Sequence, residues 1–143
     1  MQNPMIAKIA GVVETALYVD DLDRAKEFYQ RVFGFRELMG DPGRLCALQV
    51  GDSQVLLLFQ RGGTLEWKQL PGGHIPPHDG HGRLHFAFGI SLEQVDAWRE
   101  RLRSKGVEVI SEVRWEPGGQ SLYFHDPDGN VGELITPRCW AFK

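Results

Sequence analysis

The chain has 143 residues, 16 basic against 19 acidic, a formal net charge of −3, and 42% hydrophobic residues. That length supports one compact unit, or two small halves sharing a core, and leaves no room for a large second domain. The charge balance excludes the basic footprint of a nucleic-acid or anionic-membrane binder and points to a small-molecule partner.

Residues 1–10 carry no charged segment followed by a long apolar run, and nowhere do eighteen apolar residues run together, so a cytoplasmic location is expected. Cys46 and Cys139 form no C-x-x-C pair and read as idle thiols.

Residues 12–19 are rich in β-branched and aromatic side chains and predict a strand. Its period of two places Glu14, Ala16 and Tyr18 on one face and Val13, Thr15, Leu17 and Val19 on the other. Asp20 and Asp21 offer an N-cap. Leu22, Ala25, Phe28, Tyr29 and Val32 recur at helical spacing until Gly34 supplies a stop. An extended segment at 35–39, a turn at Asp41-Pro42-Gly43 and a hairpin closed at Gly51-Asp52 complete a βαβββ unit.

Residues 61–83 hold six glycines and three prolines, and predict a linking loop that doubles as a lid. His74, His78 and His81 lie in it without a cysteine, which favours a solvated, mobile lid over a second metal site.

From Leu84 the pattern restarts. Leu84, Phe86, Phe88 and Ile90 form a bulky strand face, and His85, Ala87 and Gly89 form a face with room above it. Ser91-Leu92-Glu93-Gln94 has the form of a capping box, and Val95, Trp98 and Leu102 carry a helix to Gly106. Residues 107–115 are extended, Pro117-Gly118-Gly119 reads as a hairpin turn, and Asp126-Pro127-Asp128-Gly129 predicts a type I turn into a last strand holding Glu133.

The halves align. Glu14 and His85 are 71 positions apart, Gly34 and Gly106 are 72 apart, and Phe28 and Trp98 are 70 apart, which marks an internal repeat of one supersecondary unit. The expected fold is therefore α+β. Two βαβββ modules, at about 10–60 and 84–137, form a curved mixed sheet with helices outside and a cleft inside. Glu14, His85 and Glu133 then face the hollow and make a three-ligand set for a divalent metal, with coordination positions left for substrate or water. The first-half position equivalent to Glu133 is about Leu57, so no fourth ligand is expected there. Tyr18, Trp67, Trp115, Tyr123 and Phe124 are expected in core or interface, and Arg44 and His125 at the surface.

Three stretches carry a family resemblance: residues 14–34 (ETALYVDDLDRAKEFYQRVFG), 84–90 (LHFAFGI) and 118–134 (GGQSLYFHDPDGNVGEL). With the repeat they cover nearly the whole chain, which resembles the vicinal oxygen chelate superfamily of glyoxalases, extradiol dioxygenases, fosfomycin-resistance thiol transferases and bleomycin-resistance proteins. The resemblance implies paired glyoxalase-like modules, commonly in homodimers, with metal ligands at Glu14, His85 and Glu133. The first of these is most often His in such families. Two carboxylates with one imidazole shift preference toward Mn²⁺, Fe²⁺ or Mg²⁺, with Zn²⁺ and Ni²⁺ also accommodated. The activity it implies is metal-dependent lyase or isomerase chemistry of the glyoxalase type, with Glu133 or Glu14 as general base. The alternatives are an extradiol-type dioxygenase and a metal-free, bleomycin-resistance-like protein that sequesters a planar ligand.

Overall fold

The computed structural model describes residues 4–116 and 118–143. Residues 1–3, and the Pro117 of the expected hairpin turn, lie outside the described residues. Each half of the chain builds one four-stranded mixed sheet. In the first, β1 (Glu14–Val19), α1 (Leu22–Phe33), β2 (Arg36–Asp41), β3 (Leu45–Val50) and β4 (Gln54–Gln60) give the order β1-β4-β3-β2, with β1 parallel to β4. A small antiparallel hairpin follows, β5 (Lys68–Leu70) and β6 (Gly73–Ile75). In the second half, β7 (His85–Gly89), α2 (Val95–Ser104), β8 (Ser111–Arg114), β9 (Gln120–His125) and β10 (Val131–Ile135) give the order β7-β10-β9-β8, with β7 parallel to β10. The paired modules are thus present as two mixed sheets, one per repeat, and no strand pair joins them among the described residues.

The repeat extends to the strand register. Glu14 stands opposite Val55 and Ala16 opposite Leu57, while His85 stands opposite Val131 and Ala87 opposite Glu133. Glu14 is therefore the counterpart of His85, and Leu57 the counterpart of Glu133.

Local chemistry sets the helix ends unequally. Asp21 caps α1 by accepting from the Arg24 amide at 3.1 Å, and Gly34 ends it at φ 72°, where a side chain would be strained. The capping box expected at Ser91 does not form. A 3₁₀ turn, Leu92–Gln94, comes between Ser91 and the start of α2, so the serine side chain makes no capping bond.

One hydrophobic core joins the modules. Leu17, Val19, Leu48, Leu56 and Leu58 from the first sheet and Phe86, Leu122, Phe124 and Leu134 from the second belong to a single buried cluster with α1 and α2. Phe33 of α1 packs against Phe88, Trp98 and Phe124, so the first helix covers the second sheet as well as its own. Truncating a ring as buried as Phe124 would cost about 3–5 kcal/mol. Gly132 is needed there, because a Cβ at that position would run into the Phe124 ring. With one face of each sheet in this shared core, the alternate residues of every strand point away from it. The first sheet's outward face bears Glu14, Ala16 and Tyr18, and the second's bears His85, Ala87, Glu133 and Tyr123.

Candidate metal centre

Two of the three expected ligands meet. His85 Nε2 lies 3.3 Å from Glu133 Oε1, with the imidazole half exposed and the carboxylate buried. The adjacent parallel strands β7 and β10 produce this contact, since Glu133 follows the residue paired with His85 by two positions and shares its face. His85 Nδ1 lies 2.8 Å from the Val131 carbonyl oxygen. A carbonyl only accepts, so Nδ1 carries the hydrogen and Nε2 is the nitrogen turned toward Glu133. Such pinning of the far nitrogen is characteristic of histidines that hold metals.

The carboxylate of Glu133 is built in from behind. Ser121 Oγ donates to Oε2 at 2.5 Å, and Trp115 Nε1 donates to Ser121 Oγ at 2.9 Å. Tyr123 closes one side, its phenol pushed above the ordinary tyrosine range by burial and by the neighbouring Glu133 carboxylate. Burial, with the same carboxylate's charge, pushes the Cys139 thiol up. Cys46 is also free, and burial raises it to about 11.

Glu14 is not part of this cluster. It is exposed at the start of β1 and makes no side-chain hydrogen bond or ion pair among the described residues, Lys8 included. Among those residues no group of three or more His, Cys, Asp or Glu side chains stands close enough to hold a metal ion within one chain.

The linking segment differs from the expected loop in two ways. It contains the β5–β6 hairpin, and part of it is pinned. His78 packs edge-on against Phe59 at 4.5 Å between ring centres, and its Nδ1 lies 2.7 Å from the Tyr18 hydroxyl. Its amide donates to the Thr64 carbonyl at 2.9 Å, and the Thr64 hydroxyl donates to its carbonyl. Gly80 lies so close to the Tyr18 ring that a Cβ would collide with it. The outward faces of Tyr18 and Phe59 are large and aromatic, and the strap shields them from water. His74 and His81 remain exposed, His74 bonded to Gln69.

Of the other expected placements, Phe124 is core and His125 is exposed. Trp67 stands 65% exposed, outside the core of the chain. Arg44 is mostly covered and within 3.9 Å of Asp41, because its aliphatic stem packs while its charge finds a partner.

Two supporting groups were not expected from the sequence. Ser121 is one. The other is Asp126, buried at the turn before β10, which accepts from the Tyr29 hydroxyl at 2.7 Å and from the Asp128 amide, the Asn130 amide and Asn130 Nδ2 at 2.9 Å each. Asn130 Oδ1 in turn accepts from the Leu84 amide at 2.9 Å, which fixes the start of β7 beside the turn. The signal available for Asp126 was its four potential donors within a DPDGN turn and a tyrosine on the buried face of α1.

Residues 11–134 match the profile of the Glyoxalase/Bleomycin resistance protein/Dioxygenase superfamily, and the chain belongs to that superfamily. Within it, the chain is similar to the fosfomycin resistance protein FosX of Listeria monocytogenes, 30% identical over 131 residues, which cover 88% of this chain and 89% of the relative. It is likewise 30% identical to the metallothiol transferase FosB of Shouchella clausii, over 90% of this chain and 81% of that one. The solved structure of a lactoylglutathione lyase from Agrobacterium tumefaciens superposes with a TM-score of 0.86 at 35% identity, covering 95% of this chain and all of that one. No helix among the described residues is long and apolar enough to cross a membrane.

Proposed function

We propose that this protein is a divalent-metal-dependent enzyme that adds a nucleophile, water or a thiol, to a small oxygenated substrate. The observation that carries the reading is the His85–Glu133 pair: an imidazole nitrogen whose only neutral-state feature is a lone pair, aimed at a buried carboxylate oxygen 3.3 Å away. Two lone pairs facing each other repel unless a proton or a cation lies between them. Ligand atoms each about 2.1 Å from one cation are about 3.0–3.4 Å apart, so the spacing fits a shared metal.

Glu14 is the third ligand in this proposal, and it comes from a second copy of the chain. The two outward faces of one chain point away from their shared core, so Glu14 reaches a His85–Glu133 pair across a homodimer. One imidazole and two carboxylates neutralise a dication and suit Mn²⁺, Fe²⁺ or Mg²⁺, with Zn²⁺ and Ni²⁺ tolerated. A cation held there would supply positive charge to substrate oxygens and leave positions free for them. Glu133, tied to Ser121, holds its place. Glu14 has no side-chain partner among the described residues of its own chain and is the carboxylate that would leave the cation transiently to take a proton from the incoming nucleophile.

The nature of the curated relatives, FosX and FosB, favours nucleophile addition over the other reactions of the superfamily. A second reading, glyoxalase-type proton relocation with Glu14 or Glu133 as base, is favoured by the similarity to the lactoylglutathione lyase structure. A metal-free binding protein, or one built for oxygen activation, leaves the two-carboxylate donor set without a purpose.

The test begins with metal analysis of protein purified without chelator or metal resin. One divalent ion per chain is expected, and its retention by Glu133→Ala or His85→Ala protein would overturn the site. Loaded protein is then offered an epoxide-bearing phosphonate with thiol or water, and separately a 2-oxoaldehyde thiol adduct. Turnover of the second alone would replace the first reading with the glyoxalase one.

A further inference from the structure

The hydrogen bonds behind Glu133 have a fixed direction. Trp115 Nε1 lies 2.9 Å from Ser121 Oγ, and Ser121 Oγ lies 2.5 Å from Glu133 Oε2. An indole N–H can only donate, so Ser121 Oγ accepts from it and has one proton left to give. That proton goes to Glu133. Ser121 is fully buried, so no water competes for the hydroxyl. Oε2 is therefore committed as an acceptor, and Oε1 is the oxygen turned to His85.

We infer that Ser121 and Trp115 are positioning residues that restrict Glu133 to metal ligation through one oxygen. The inference rests on the metal reading above and adds to it a denticity and the residues that set it. A carboxylate with both oxygens free can grip a cation with both. The second oxygen would then fill a coordination position that a substrate oxygen needs. With Oε2 occupied by Ser121, that position stays open.

The repeat supplies an independent control. Ser121 pairs with Ile135 on β10, two positions beyond Glu133, and in the first sheet the corresponding residue is Leu45, paired with Phe59 two positions beyond Leu57. The hydroxyl–carboxylate pair of one module is thus a leucine–leucine pair in the other. A serine kept only for packing would have no reason to track the carboxylate. The exposed edge of Trp115 is equally telling, since a ring 37% open to solvent contributes little to the core while its N–H points inward.

The experiment is a Mn²⁺ titration of the metal-stripped full chain, read by the electron paramagnetic resonance signal of free Mn²⁺, so that no activity is required. Ser121→Ala is expected to weaken binding about 10- to 100-fold, the range for partners that orient metal ligands. Ser121→Thr, which keeps the hydroxyl, is expected to stay within about threefold of the parent, a small fraction of that loss. Trp115→Phe should weaken binding less than Ser121→Ala. The double variant should be no worse than Ser121→Ala alone, because the indole acts only through the serine. Parental affinity in Ser121→Ala, or effects of the two substitutions that simply add, would overturn the inference while leaving the metal site standing. No Mn²⁺ uptake by the parent protein would overturn both. Should Ser121→Ala fail to fold, Trp115→Phe at the partly exposed ring decides alone, parental affinity counting against the relay.

Discussion

The two modules share a strand order and a register but have opposite outward faces. On the first sheet, Glu14 stands alone at the strand's start, followed by Ala16 and Tyr18 and flanked by Val55, Leu57, Phe59 and Leu45. The centre of that face is apolar, with Glu14, Gln49, Arg36 and Asp41 toward its margins, and the segment carrying His78 straps its far end. On the second, the same positions hold His85, Ala87, Val131, Glu133 and Ser121, with Ser121 hydrogen-bonded to Glu133 and His85 3.3 Å from it. The difference teaches that a duplicated scaffold has divided its work. One copy supplies a mainly apolar wall with an unpaired carboxylate at the start of its first strand, and the other supplies a floor, the His85, Glu133 and Ser121 cluster proposed to hold the metal.

The sharpest way to break this contrast is to remove the floor. Glu133→Ala and His85→Ala are each expected to abolish stoichiometric metal binding, a loss beyond the roughly 100-fold that outer partners cost. Elemental analysis after dialysis checks it. Next comes the wall's charge. If Glu14 serves the pair on a second copy, Glu14→Ala and Glu133→Ala proteins are each inactive alone, but dissociated and reassembled together they form mixed dimers with one intact site. Random reassortment predicts recovery from near zero to about a quarter of parental activity. Failure to recover, with one variant isotope-labelled so that mixed dimers can be verified by mass, would place Glu14 outside the site.

Much of this contrast was legible in the sequence, and the reason is periodicity. Alternation over 84–90 assigned His85 and Ala87 to one face, and the 71-residue offset to Glu14 identified the repeat, because both follow from backbone geometry alone. What escaped depended on contacts between distant segments. Ser91 has the right spacing for a capping box, yet a 3₁₀ turn displaces the helix start. His78 is surrounded by Gly and Pro and reads as solvated, but Tyr18 and Phe59, nearly twenty to sixty positions away, need covering. Ser121 sits in an apolar strand, and nothing nearby in sequence reveals that its hydroxyl serves residue 133.

The turn that aligns the floor is expected to be the costliest to disturb for stability. Asp126→Ala would strand the buried Tyr29 hydroxyl, the Asn130 amide and Asn130 Nδ2 without their acceptor. Loss of about 3–5 kcal/mol is expected, as for a buried charged partner removed from its network, and a urea unfolding curve measures it. Asp126→Asn keeps one acceptor oxygen and should cost less. Because Tyr29 lies on α1 and Asp126 before β10, this turn joins the modules as well as shaping one of them.

The smallest expected effect belongs to the strap over the apolar wall. Tyr18→Phe deletes the hydroxyl bonded to His78 Nδ1 but keeps the ring on which Gly80 and Phe59 pack. A partly buried neutral hydrogen bond contributes about 0.5–1.5 kcal/mol, so global stability should fall by about that amount or less. The local consequence is more informative. If the strap holds mainly through that bond, amide exchange at His78, whose N–H is bonded to the Thr64 carbonyl, accelerates in the variant while exchange in β3 and β4 does not. If packing on Phe59 dominates, Tyr18→Phe leaves His78 protected and Phe59→Ala releases it. Metal affinity at His85 and Glu133 should be unchanged in Tyr18→Phe, because the deleted hydroxyl is bonded to His78 and lies four positions along β1 from Glu14. A change there would mean that the wall and the floor are coupled, and that the division of labour between the two copies of the fold is less complete than their surfaces indicate.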